Sequence, residues 1–160
     1  MAHERPSDSR EAASFLVCRS NGCLYALPLM SVAETMRPLA IEPLAAMPPF
    51  LLGVSVIRGT PVPIVDTAKL LGSTTPTRPQ RVVTLRIGER LVGLAVESVL
   101  GMRAIPLASL NEVPPLLHQV GDDTVSAITR LDAELLLVLE SARIVPDSVW
   151  AAIDSGGLAI

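Results

Sequence analysis

The sequence repeats itself. With Leu24 placed over Leu91, an offset of 67, Phe15 falls on Val82, Arg19 on Arg86, Tyr25 on Val92 and Leu27 on Leu94. Leu29 then meets Val96, Ser31 meets Ser98 and Val32 meets Val99. Both copies break at the same place, at Asn21-Gly22 and at Gly88-Glu89. Apolar runs interrupted by such dipeptides read as β-hairpins. Farther on, Val54-Ser55-Val56-Ile57 resembles Val125-Ser126-Ala127-Ile128 at an offset of 71, which a loop insertion of four explains. A duplicated unit of this length, built from short strands, predicts two small β-barrels side by side. Neither would bury much alone, so the two must share a contact. The seam between them is a natural place for a partner to dock.

The stretch from Gly53 to Asp66 is the most informative hairpin. Apolar, β-branched runs flank the turn Arg58-Gly59-Thr60, where Gly59 supplies the positive φ that such turns demand. Pro61 and Pro63 lack amides on the same side, which suggests an edge or bulged strand. Arg58 is a lone cation at the end of that ribbon. The other strands expected are 15–19, 23–27, 81–87, 90–96, 98–104, 125–130 and 135–139. Residues 29–37 suit a short helix or a bent strand, and 47–52 one helical turn. Residues 67–72 suit a short helix with Asp66 or Thr67 as N-cap and Gly72 past its end. Gly121-Asp122-Asp123 reads as a turn, and 141–145 as a helix start that Pro146 interrupts. The division expected is a disordered lead over 1–14, a first barrel over 15–72 and a Ser/Thr/Pro-rich linker over 73–80. A second barrel over 81–149 and a tail over 150–160 follow.

Composition narrows the function. The net charge is −3 and only 2% of residues are aromatic, against the basic, ring-bearing face that nucleic acid requires. Hydrophobic residues make up 49% and charged ones 18%. That excess is either surface for partners or a well-filled β core. No apolar window is long enough to span a membrane, and the polar N-terminus has no secretion-signal core. Cys18 and Cys23 bracket a turn; with His3 and His118 far away they do not make a zinc signature, and two buried thiols are expected, a disulfide between cross-strand neighbours being the alternative. His3 and His118 fall in polar or proline-rich stretches, away from any nucleophile. Asp66, Asp122, Asp123, Asp132 and Glu134 sit at turns and helix starts, where capping explains them. No glycine loop has phosphate-cradle spacing. The reading is a binding module rather than an enzyme, with no cofactor and no metal.

Several segments together resemble the CheW family of chemotaxis coupling proteins. They are Phe15-Leu16-Val17, Leu24 to Leu27, Val32-Ala33-Glu34, Pro48 to Val54, Arg58-Gly59, Pro63-Ile64-Val65-Asp66 and Leu70-Leu71-Gly72, with Val92 to Val96 and Val99 in the second half. The resemblance implies an all-β fold of two small SH3-like β-barrels side by side with short helices. It implies a non-enzymatic, cytoplasmic adaptor that links the tips of chemoreceptors to the regulatory domain of a CheA-type histidine kinase. It also implies that Val32, Glu34 and Arg58 lie at a receptor-binding groove, with Glu34 able to pair with Arg58, and that Gly53 and Gly59 hold backbone turns. Pro28, Pro61 and the Pro/Leu-rich segment 105–119 depart from the family pattern. A standalone barrel module that binds a peptide or small ligand in the seam is the alternative reading.

Overall fold

The computed structural model of the chain describes residues 11–75, 78–114 and 124–154. Ten strands dominate it: β1 (Ala12–Ser20), β2 (Cys23–Pro28), β3 (Val32–Met36), β4 (Leu51–Ile57), β5 (Thr60–Asp66), β6 (Arg81–Ile87), β7 (Arg90–Val96), β8 (Ser98–Pro106), β9 (Val125–Leu131) and β10 (Glu134–Leu139). Two short helices, α1 (Thr67–Leu70) and α2 (Asp147–Asp154), complete it. The strands form two five-stranded sheets, ordered β8-β1-β2-β10-β9 and β3-β6-β7-β5-β4.

Each sheet wraps its own core, and all five strands contribute to it. Phe15, Val17, Leu24, Ala26, Ile105, Leu136 and Val138 fill the first, with Ala127 and Leu131 of β9 against them. Ile57, Val62, Ile64, Val82 and Ala95 fill the second, with Met36 of β3 against them. The sheets are therefore two small barrels, A and B. They do not follow the expected division of the chain. Barrel A takes β1 and β2 from the first half and β8, β9 and β10 from the second; barrel B takes β3, β4 and β5 with β6 and β7. Substituting β6–β10 for β1–β5 turns one sheet order into the other, so the two halves have exchanged their first hairpins. A repeat read along the chain gives the copies but not which copy pairs with which.

The exchange explains the apolar composition. The β1–β2 and β6–β7 hairpins turn one face to their own barrel and the other to each other. Leu16, Cys18, Tyr25 and Leu27 meet Val83, Leu85, Val92 and Leu94 in the largest core cluster of the described residues. Strands buried on both faces carry continuous apolar runs rather than alternation. The middle of the seam is thus packed core, and at one end of it, where the β1–β2 hairpin faces α1, a pocket of ≈ 390 Å³ stays open, lined by Ser20, Tyr25, Ala68 and Leu71. α2 covers one side of the packed core with Val149, Trp150 and Ile153.

The second hairpins are offset by 74, not 71. The bridge of Glu42 to Val54 recurs as Asn111 to Ile128. The turn Arg58-Gly59, with φ of 52° and 80°, recurs as Asp132-Ala133 with 51° and 72°. Val54 therefore corresponds to Ile128, and an error of three would turn inward-facing positions outward. Arg58 and Gly59 alone make the turn; Thr60 already pairs with Ile57 in β5. β5 is not an edge strand, since it lies between β7 and β4. The parallel ladder to β7 begins only at Ile64, past both prolines.

Other expectations change. Ala12, Ala13 and Ser14 belong to β1 rather than to the lead, and Leu51 and Leu52 open β4 rather than a helical turn. Residues 29–31 form one 3-10 turn, and 32–36 the strand β3. Asp66 caps α1, accepting from the Lys69 N–H at 3.2 Å. Residues 147–154, placed partly in a tail, form α2, with Asp147 in its first turn and Val149, Trp150 and Ile153 on one side. His3, His118 and the turn at 121–123 lie outside the described residues.

Cys18 is buried and Cys23 exposed, both as free thiols, so only one of the expected pair is interior. Burial pushes the Cys18 thiol up to about 12. In the native protein one thiol per chain reacts promptly with a chromogenic disulfide, and the second only in denaturant. Two fast thiols without denaturant would contradict this burial.

Candidate functional site

Glu34 and Arg58 come from different strands of barrel B. Arg58 stands on the β4–β5 turn, and a left-handed conformation at both turn residues matches the twist of the flanking strands. Glu34 stands on β3, an edge strand that among the described residues pairs only with β6. One guanidinium nitrogen, Nη2, donates to both carboxylate oxygens, at 2.6 and 3.0 Å. The Arg58 side chain is 72% exposed and that of Glu34 33%. A pair this open contributes about 0–1 kcal/mol to stability.

Thr84 of β6, which sequence reasoning missed, holds Glu34 in place. The Glu34 N–H donates to Thr84 Oγ1 at 3.2 Å, and that hydroxyl donates to the Glu34 carbonyl at 3.3 Å. The reason is a bulge. Val32 pairs with Leu85 but Glu34 pairs with Thr84, so Ala33 is the extra residue. In a regular strand Val32 and Glu34 would share a face. Here Val32 packs with Leu85 against the inter-barrel core, whereas Glu34 and Thr84 line a pocket of ≈ 300 Å³ at the end of barrel B. The structure brings Glu34 and Arg58 together and turns Val32 away from them. The Val-x-Glu spacing carries no signal for that bulge.

Gly59 and Gly53 differ in role. A Cβ on Gly59 would meet nothing within 4 Å, so only its φ of +80° requires glycine. Gly53 is not at a turn. It lies in β4 at a register shift, with φ +144°, and a Cβ there would come within 2.2 Å of the Glu42 carbonyl oxygen. The bare backbone admits the 41–42 segment, whose Glu42 exchanges two 2.8 Å backbone bonds with Val54.

The rest of the rim is cationic with local compensation. Arg58, Arg86 and Arg90 line the pocket with Glu34 and Glu89. Arg90 bonds both carboxylate oxygens of Asp154 in α2, one at 3.0 Å, and stacks over the Trp150 ring at 4.7 Å. That hydrogen-bonded guanidinium lowers the Asp154 carboxyl below its ordinary value. Among the described residues no group of three His, Cys, Asp or Glu side chains converges as a metal would need. No helix among them is long and apolar enough to cross a membrane.

The family description of the CheW-like domain matches residues 14–149. Protein FrzA of Myxococcus xanthus is 28% identical over 113 residues, covering 69% of each chain. The chemotaxis protein CheW of Klebsiella aerogenes is 20% identical over 143 residues, covering 88% of this chain and 86% of that one. The crystal structure of the scaffolding protein TtCheW from Thermoanaerobacter tengcongensis superposes with a TM-score of 0.71 at 22% identity, covering 81% of this chain and 90% of that one. Two SH3-like barrels joined through a packed seam, matched by a family description over nearly the whole described length, leave one assignment: this chain belongs to the CheW family of chemotaxis coupling proteins.

Proposed function

We propose that the chain is a non-enzymatic adaptor that joins the cytoplasmic tips of chemoreceptors to the regulatory domain of a CheA-type histidine kinase, and that Glu34 and Arg58 belong to its receptor-facing surface. The observation that carries this is the pair itself. It costs a bulge, a left-handed arginine and a dedicated threonine clasp, yet at this exposure it adds little to stability. Val32, turned to the other face of β3, packs at the rim of the seam, and Met30, 89% exposed, precedes it in the 3-10 turn. A receptor helix laid along the β3 edge meets apolar contacts first and the charged pair last. The receptor site is then the outer end of barrel B rather than a cleft between barrels. The adaptor works by holding two partners in fixed geometry, and it acts at receptor arrays in the cytoplasm.

Two variants test this. Arg58→Ala weakens binding to a chemoreceptor cytoplasmic hairpin by about tenfold, a hot-spot-sized loss, with kinase-domain binding and thermal stability unchanged. Exchanging the partners, Glu34→Arg with Arg58→Glu, keeps an ion pair and the fold but loses the receptor to the same extent. Unchanged receptor retention in both variants removes the pair from the interface.

A further inference from the structure

Because the barrels correspond strand by strand, each side chain at the end of barrel B has a counterpart in barrel A. The Glu34–Arg58 pair has an analogue: Arg103 of β8 bonds Asp132 of the β9–β10 turn at 3.1 Å, between the same edge strand and turn with the polarity reversed, but from a place two residues farther along the strand, since Gly101 is the register equivalent of Glu34. The next pair has only half a counterpart. In barrel A, Arg19 at the end of β1 reaches across β2 to Glu134 at the start of β10, through two bonds of 3.0 and 2.9 Å. Arg19 faces Leu24 across its hairpin as Arg86 faces Leu91, so Arg86 occupies the Arg19 place. Glu134 follows its two-residue turn as Thr60 follows Arg58-Gly59, so Thr60 occupies the Glu134 place. Barrel B keeps the arginine and lacks the carboxylate.

The consequence is visible at the pocket. Among the described residues no hydrogen bond or ion pair holds the Arg86 guanidinium, whereas Arg58 is matched by Glu34 and Arg90 by Asp154. Glu89, on the β6–β7 turn, lines the same pocket and makes no ion pair with Arg86. In barrel A the equivalent arginine is held by two charge-assisted bonds, and Glu134 is kept below the ordinary carboxyl range by them.

We infer that a partner completes this site: an aspartate or glutamate on the docking helix places its carboxylate on Arg86, where Glu134 sits on Arg19 in the other barrel. This rests on the reading of the barrel B end as the receptor-facing one. The carboxylate accepts from the guanidinium as Glu134 does, and the interaction weakens as salt is raised.

The test is calorimetric titration of the full chain with the cytoplasmic helical hairpin of a chemoreceptor, and with that hairpin carrying single Asp→Asn or Glu→Gln changes. Arg86→Gln lowers affinity about tenfold. Thr60→Glu does the same by supplying the missing carboxylate from within, and both positions are exposed, so the fold survives. Arg86→Lys recovers part of the loss. One neutralised hairpin binds wild type and Arg86→Gln equally, the coupling that a direct contact requires. A wild-type chain that binds the hairpin while Arg86→Gln and Thr60→Glu bind it as tightly overturns the carboxylate inference and leaves the receptor reading intact. A wild-type chain that does not bind the hairpin at all overturns the receptor reading and this inference with it.

Discussion

Replacing Gly53 with alanine lowers the stability of the fold by about 4 kcal/mol or more, the largest effect expected of any single methyl group added here. Two terms add. The φ of +144° is a conformation that side-chain-bearing residues rarely adopt, and the new Cβ would stand 2.2 Å from Glu42 O and 2.8 Å from both Glu42 C and Ile41 Cγ2. The first obstacle is backbone, which cannot rotate aside. Relief requires the 41–42 segment to lift, breaking both Glu42–Val54 bonds and uncovering Ile41, which packs on the barrel B core. Urea unfolding reads this as a lower midpoint at unchanged slope. Gly59→Ala is the control: with nothing within 4 Å of its Cβ, only the φ penalty of about 1–2 kcal/mol applies. Equal losses at the two glycines would show that the crowding at Gly53 has no energetic weight.

Opening the chain within the linker gives two fragments, residues 1–72 and 81–160, and neither unfolds cooperatively alone. The first holds β1 to β5 and the second β6 to β10, so each owns a hairpin whose sheet is in the other fragment. Separated, β1–β2 exposes both apolar faces, and β3 loses β6, its sheet partner among the described residues. Mixed in equal amounts, the fragments recover the intact protein's circular dichroism and elute as one species. A sharp transition in either fragment by itself would contradict the exchanged pairing. The expected pair of self-contained barrels, 15–72 and 81–149, predicts the opposite result.

The strands were legible and their partners were not. Runs such as Leu91-Val92-Gly93-Leu94-Ala95-Val96, bounded by Gly88-Glu89, state a hairpin locally, and β6 and β7 lie where the runs place them. Nothing local says that β3 leaves β2 to join β6, because either barrel would bury an identical alternation. The same limit applies at the site. Arg58 and Glu34 could be matched through family resemblance, but the bulge at Ala33 that turns Val32 away depends on register with β6. Arg86 carried no signal by itself; only its comparison with Arg19 shows what it lacks. α2 was readable in part, since Val149, Trp150 and Ile153 follow Pro146-Asp147 at helical spacing.

The exchange of hairpins has the form of a domain-swapped dimer fused into one polypeptide. Two separate half-length chains with this pairing would assemble only as fast and as fully as their concentration allowed. The tether across residues 73–80 changes the order of that reaction. It holds each hairpin near its foreign sheet at an effective concentration in the millimolar range, whatever the number of molecules in the cell. A coupler must match the stoichiometry of its partners, and this one owes its own integrity to no second copy.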